Sequence, residues 1–201
     1  MKLLQLDSSP LATHSVTREL AAAVVTQYRR DVPGVEVTYR DLAADALPHW
    51  TPLPREAVDA LAPEIRAEVE RNEAVMQEFL AADVIVIGAP MYNFGIPSQL
   101  KAWVDRIAVA GRTFRYTAQG PEGLAGGKRV VVLSGRGGFY ADTPLQGADF
   151  QEAYLRQVFA FLGVSDIEFI RAEGIGMGAE QRAASLAAAH ARIEGVLAKA
   201  A

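Results

Sequence analysis

Apolar residues in this chain gather in short runs, separated by longer stretches in which they recur every three or four positions. The runs at 2–6, 35–40, 84–88, 129–133 and 167–172 read as strands. The third, Val84-Ile85-Val86-Ile87-Gly88, is aliphatic up to its closing glycine, as in a strand buried on both faces of a parallel sheet. Between the runs, 15–30 stacks Leu20, Val24 and Tyr28 at helical spacing. Residues 55–80, 150–162 and an alanine-rich 180–199 also read as helices, and a further helix opens at Pro97 or Ser98. Pro63 marks a break or a second start within 55–80. Five strands interleaved with helices predict an α/β fold, a doubly wound parallel sheet with helices on both faces.

Two regions fall outside that rhythm. Residues 45–54 carry three prolines and Trp50, and read as a loop inserted after the second strand. Residues 112–127 hold the alternating Thr113-Phe114-Arg115-Tyr116-Thr117 and then Gly120-Pro121-Glu122-Gly123. They read either as a hairpin near the mouth of a site or as a satellite strand covering a sheet edge.

Composition narrows the class. A chain of 201 residues, half of them hydrophobic, is expected to form a single globular domain over 1–201. A net charge of −4 speaks against a nucleic-acid partner. The absence of cysteine excludes disulfides, thiol catalysis and cysteine-ligated metal, and fits a reducing cytoplasm. No metal site is expected. No secretory leader and no run of membrane-spanning length is read, so a cytoplasmic protein without membrane contact is expected.

Candidate chemistry sits in the loops that leave three strands at their carboxyl ends, the rim where open α/β sheets bind ligands. After the first strand comes Asp7-Ser8-Ser9-Pro10-Leu11-Ala12-Thr13-His14-Ser15-Val16-Thr17, ending at a helix start. Free N–H groups and small hydroxyls there suit a phosphate monoester, though Ser15 also serves as a plain N-cap. The stretch lacks the glycine spacing and lysine of a nucleoside-triphosphate loop. His14 reads as a solvated loop residue. After the third strand, Pro90-Met91-Tyr92-Asn93-Phe94-Gly95 sets aromatics and an amide at the rim, suited to a flat ring with polar edges or to capping the core. After the fourth, Ser134-Gly135-Arg136-Gly137-Gly138 lets backbone approach a planar ligand closely, with Arg136 as a further donor, or makes a tight turn. Gly174-Ile175-Gly176-Met177-Gly178 lacks the spacing and position of a dinucleotide fingerprint and is set aside.

Taken together, Ser8-Ser9 with Ser15-Val16-Thr17, the Pro90–Phe94 stretch, 111–117 with 120–124, and Arg136-Gly137-Gly138 resemble the FMN-dependent NAD(P)H:quinone oxidoreductase and azoreductase family along the whole chain. The resemblance implies a flavodoxin-like fold of strand order 2-1-3-4-5 and a homodimer with one tightly bound FMN per subunit near the interface. NADH or NADPH would be the electron donor, and a quinone or azo compound the acceptor, in ping-pong turns. By position, Ser9, Ser15, Val16 and Thr17 would hold the phosphate and ribityl chain. Pro90, Met91, Tyr92, Asn93 and Phe94 would line one flavin edge, and Gly135, Arg136, Gly137 and Gly138 the pyrimidine end. Phe114, Tyr116 and Phe161 would wall the nicotinamide or acceptor pocket, from the same subunit or across the dimer, and no side chain would act as catalyst. The chain departs from the family where Gly135 replaces a common serine, and at 45–54, short against the usual loop. A flavodoxin-type electron carrier and a non-enzymatic partner-binding protein remain alternatives on the same fold.

Overall fold

The computed structural model describes residues 1–52 and 62–195. Seven strands follow in chain order: β1 (Lys2–Asp7), β2 (Glu36–Asp41), β3 (Val84–Pro90), β4 (Phe114–Thr117), β5 (Gly120–Gly123), β6 (Arg129–Gly135) and β7 (Asp166–Ala172). Five of them lie parallel in one sheet of order β2-β1-β3-β6-β7. The remaining two, β4 and β5, pair antiparallel as a separate hairpin, with Phe114 opposite Gly123. With that hairpin set aside, the sheet has the order 2-1-3-4-5.

The helices are α1 (Val16–Asp31), α2 (Pro63–Ala81), α3 (Ser98–Ile107), α4 (Phe150–Phe161) and α5 (Ala179–Glu194). Several boundaries differ from the sequence reading by a residue or two, because helix and strand ends depend on caps and neighbours that periodicity does not see. Pro63 stands at the first helical position of α2, where its missing N–H costs nothing. The expected helical stretch 55–61, positions 53–54 of the proline-rich loop and 196–199 of the closing helix lie outside the described residues. Residues 46–52 carry neither helix nor strand.

All seven residues of β3, and all seven of β6, are buried, the signature of central strands covered on both faces. Side chains alternate between two cores. Ile85, Ile87, Val130 and Val132 join Phe79 of α2, Trp103 of α3 and Phe159 of α4 on one face. Val84, Val86, Val131 and Leu133 join Leu20, Val24 and Tyr28 of α1 and Ile193 of α5 on the other. The chain leaves β1 toward one face and β3 toward the other, so a crevice opens between their carboxyl ends. Among the described residues no helix is long and apolar enough to cross a membrane.

Candidate functional site

The first wall of that crevice is the entry to α1. Ser15 is the N-cap, its Oγ accepting from the Arg18 N–H at 3.4 Å and lying 3.1 Å from Thr17 Oγ1. Val16 and Thr17 follow as the first two helical residues, whose N–H groups have no intrahelical acceptor and carry the positive end of the helix dipole. Ser9, Ser15 and Thr17 are buried. Arg18 folds back to brace the loop: Nε and Nη2 donate to the Ser9 carbonyl at 3.1 and 2.8 Å. The same guanidinium donates to both carboxylate oxygens of Asp41 at 2.6 Å, tying the loop to the end of β2. Below it, burial pushes the Asp7 carboxyl up to about 6, against the lowering pull of the Tyr39 hydroxyl and Arg18.

The second wall is the turn after β3. Tyr92 and Gly95 exchange backbone hydrogen bonds at 3.1 and 3.0 Å around Asn93 and Phe94, whose φ values are 47° and 69°. Two left-handed residues make this a type I′ turn, a geometry that favours Asn first and Gly second. Phe94 in the second place carries strain that a glycine would not. The turn is pinned by the Met91 N–H on the Gly135 carbonyl at 2.8 Å and by the Phe150 N–H on the Phe94 carbonyl at 3.1 Å.

The third wall is the glycine-rich loop after β6. A Cβ on Gly135 would stand 2.9 Å from Thr17 Cγ2, so a side chain there would have to displace the Thr17 methyl. Gly137 differs: its φ is ordinary, and a Cβ there would meet nothing within 4 Å. Arg136 corrects the sequence reading, which had it donating toward a ring. Its guanidinium is fully buried and turned inward, with Nε on Ser134 Oγ at 2.9 Å, Nη1 on Glu173 Oε1 at 3.1 Å and Nη2 on Glu152 Oε1 at 2.5 Å. Asp149 Oδ2 lies 2.8 Å from Nη2. Three carboxylates converge where water is scarce, and the cation goes to them. Burial pushes the Glu152 carboxyl up, but Arg171, Arg136 and Arg156 outweigh it and hold it below its ordinary value. Glu173 Oε1 also accepts from the Tyr140 and Ala141 N–H groups at 2.9 and 3.1 Å, fixing the far end of the loop.

The loop after β7, set aside in the sequence, forms a fourth wall. Gly174, Ile175 and Gly176 donate to the carbonyls of Gly138, Arg136 and Gly137 at 2.9, 3.0 and 3.1 Å, so the two loops run side by side.

The walls enclose an open crevice of about 340 Å³. Of the expected residues it gathers Ser9, Ser15, Val16, Thr17, Pro90, Met91, Tyr92, Gly135 and Gly137. Asn93 and Phe94 stand exposed at the tip of the adjoining turn. Gly138 and the Arg136 side chain are not among the lining residues, whereas Leu11, His14, Ile175, Gly176 and Arg182 are. The expected pocket walls Phe114, Tyr116 and Phe161 lie apart from this crevice within the chain. Phe114 is part of the core, its ring centroid 4.5 Å from Phe161 and 5.6 Å from Tyr116, and none of the three lines the crevice. The hairpin roots itself with these rings, and of the three Tyr116 alone, 75% exposed, projects from it.

A doubly wound sheet of this order, with its crevice at the carboxyl ends of β1, β3 and β6, defines a flavodoxin-like protein, and the profile described as flavodoxin-like fold matches residues 1–197. The chain is 62% identical over 189 residues to the FMN-dependent NADH:quinone oxidoreductase 1 of Xanthomonas axonopodis pv. citri, covering 94% of this chain and 93% of that protein. It is 53% identical over 199 residues to the FMN-dependent NADH:quinone oxidoreductase of Rhizobium meliloti, covering 96% and 95%. The crystal structure of an FMN-dependent NADH-azoreductase from Bacillus anthracis, in complex with FMN, superposes with a TM-score of 0.87 at 28% identity, over 100% of this chain and 99% of that one. The chain belongs to the family of FMN-dependent NADH:quinone oxidoreductases and azoreductases.

Proposed function

We propose that this chain is an oxidoreductase that binds FMN in the crevice and passes electrons from NADH to quinones and azo compounds. Gly137 carries the reading. Neither its φ nor any neighbouring atom requires a glycine, yet it borders the crevice, where a side chain would project into the space a planar ligand needs. The remaining walls fit the same ligand. Ser9, Ser15, Val16 and Thr17 hold the phosphate end with hydroxyls and helix N–H groups. Met91, Tyr92 and the Asn93–Phe94 turn flank one edge of the ring. The N–H groups of Gly137 and Gly138 have no acceptor among the described residues, and Gly137 lines the crevice at the end assigned to the polar edge of the ring.

FMN held there would supply the two-electron redox chemistry, with NADH as the source of the hydride. Ser9, Ser15, Val16 and Thr17 would hold its phosphate end, Met91 and Tyr92 one edge of the ring, and the Gly137 N–H would stand where negative charge accumulates. A single crevice of this size would admit donor and acceptor in turn, which is the basis for reading the kinetics as ping-pong. We read the working form as a homodimer. Phe94, Phe139, Leu145, Phe150 and Met177 lie exposed on the rim loops or just beyond them, an apolar surround that a second subunit would cover.

The test is an absorption spectrum of the purified protein with FMN before and after anaerobic NADH. Bleaching of the flavin bands and their recovery on adding a quinone is the expected result. Flavin that binds but stays oxidised would instead mark an electron carrier, and absence of binding would remove the reading altogether.

A further inference from the structure

The charge in the crevice comes from an unexpected place. Among the described residues its lining contains no aspartate or glutamate, and its one guanidinium is Arg182, in the first turn of α5. The two other arginines of the surrounding loops are consumed, Arg18 by Asp41 and the Ser9 carbonyl, Arg136 by Glu152, Asp149 and Glu173. Arg182 is half-buried, and its side chain has no hydrogen-bond or ion-pair partner among the described residues. Both α1 and α5 start at the rim and pack on the same sheet face, joined by His190 Nε2 on Glu19 Oε1 at 3.2 Å and Gln27 Nε2 on the Glu194 carbonyl at 3.0 Å. Arg182 therefore shares the crevice with the open end of α1.

We infer that Arg182 is the cation of the phosphate subsite, pairing with the phosphomonoester of the bound flavin nucleotide. The inference rests on the FMN reading above and adds a residue that neither the hydroxyl loop nor the glycine-rich loop contains. A phosphate carries close to two negative charges, whereas the loop of Ser9, Ser15 and Thr17 offers neutral hydroxyls and the partial charge of one helix end. A guanidinium meets phosphate oxygens with two parallel N–H donors, which fits a partly desolvated anion better than hydroxyls alone. Because Arg182 binds no other side chain, its replacement orphans no group and leaves the fold as it was.

The experiment compares FMN with riboflavin, which lacks the phosphate, by flavin fluorescence titration of the wild-type chain and of Arg182→Gln and Arg182→Lys. The Gln variant should bind FMN roughly tenfold to hundredfold more weakly, the loss of one charge-assisted contact, with riboflavin affinity unchanged. The Lys variant should fall between. The FMN-to-riboflavin ratio of the wild type should decline with added salt, and that of the Gln variant should decline less steeply, since only the α1 dipole is then left to be screened. An unchanged ratio in the Gln variant overturns the assignment while leaving FMN binding itself intact. So does a variant whose only defect is a raised KM for NADPH against NADH, which would give the arginine to the donor's phosphate. Wild-type protein that binds no FMN removes both the arginine's role and the reading beneath it.

Discussion

The carboxylate of Asp7 lies so tightly against Gly88 that a Cβ on that glycine would stand 2.6 Å from Oδ1. Oδ1 has no hydrogen-bond partner among the described residues, while Oδ2 accepts from Tyr39 at 3.1 Å and Gln5 at 3.4 Å. A charge held this way is costly, and burial moves its pKa from 3.8 to about 6.

That shift fixes a sign. The folded state holds the Asp7 proton more tightly than the unfolded chain, so the wild type gains stability as pH falls through about 6, the gain being complete below the unfolded value of 3.8. Asp7→Asn removes this dependence. The variant should be the more stable one above neutral pH, and its advantage should vanish toward acid. Thermal unfolding of both chains from pH 4 to pH 8 checks it; a difference that stays constant across that range would refute the assignment.

Removing Arg136 leaves Glu152, Glu173 and Asp149 facing one another around a buried gap. Arg136→Met should cost about 3–5 kcal/mol in urea unfolding, the range for breaking a buried ion pair by deleting one partner. A loss under 1 kcal/mol would mean that water enters and solvates the acids.

Gly137→Val should separate binding from folding. Its Cβ would meet no protein atom within 4 Å, so the apo protein should melt as the wild type does. Flavin content after purification with excess FMN should fall to a small fraction, and stoichiometric flavin in this variant would sink the placement of the ring.

Phe94 sits at φ 69° with its ring half-exposed and edge-on to Tyr140. Phe94→Gly relieves the left-handed backbone, an effect of about 1 kcal/mol. The variant should unfold at equal or higher denaturant concentration, yet show a weaker KM for quinone. Lower stability with unchanged kinetics would show that the ring serves packing.

Much of the fold was legible because strands buried on both faces must be aliphatic throughout, as in Val84–Ile87, and α1 must stack Leu20, Val24 and Tyr28 to cover them. The loops after β1, β3 and β6 stood out because helix entry, rim aromatics and repeated glycine each have a local signature. Arg136 was misread because its carboxylates lie 13 to 37 positions further along, at Asp149, Glu152 and Glu173. Ile175, Gly176 and Arg182 escaped because nothing local says that α5 will lie beside α1. Phe114 was assigned to a pocket by resemblance, and alternation along 113–117 reveals only that a residue is sided, without revealing that its ring packs on Phe161.

The hairpin has one further consequence. Gly123 and Gly163 meet backbone to backbone, leaving no room for a side chain on Gly123, and Ala125 donates to the Leu162 carbonyl at 2.8 Å. The base of the hairpin is thereby welded to the end of α4, whereas Arg115, Tyr116 and Glu122 stand clear. The projecting part can lengthen, shorten or change character without disturbing the sheet. Descendants of this chain can drift at that tip alone and meet different molecules with the same redox machinery behind it.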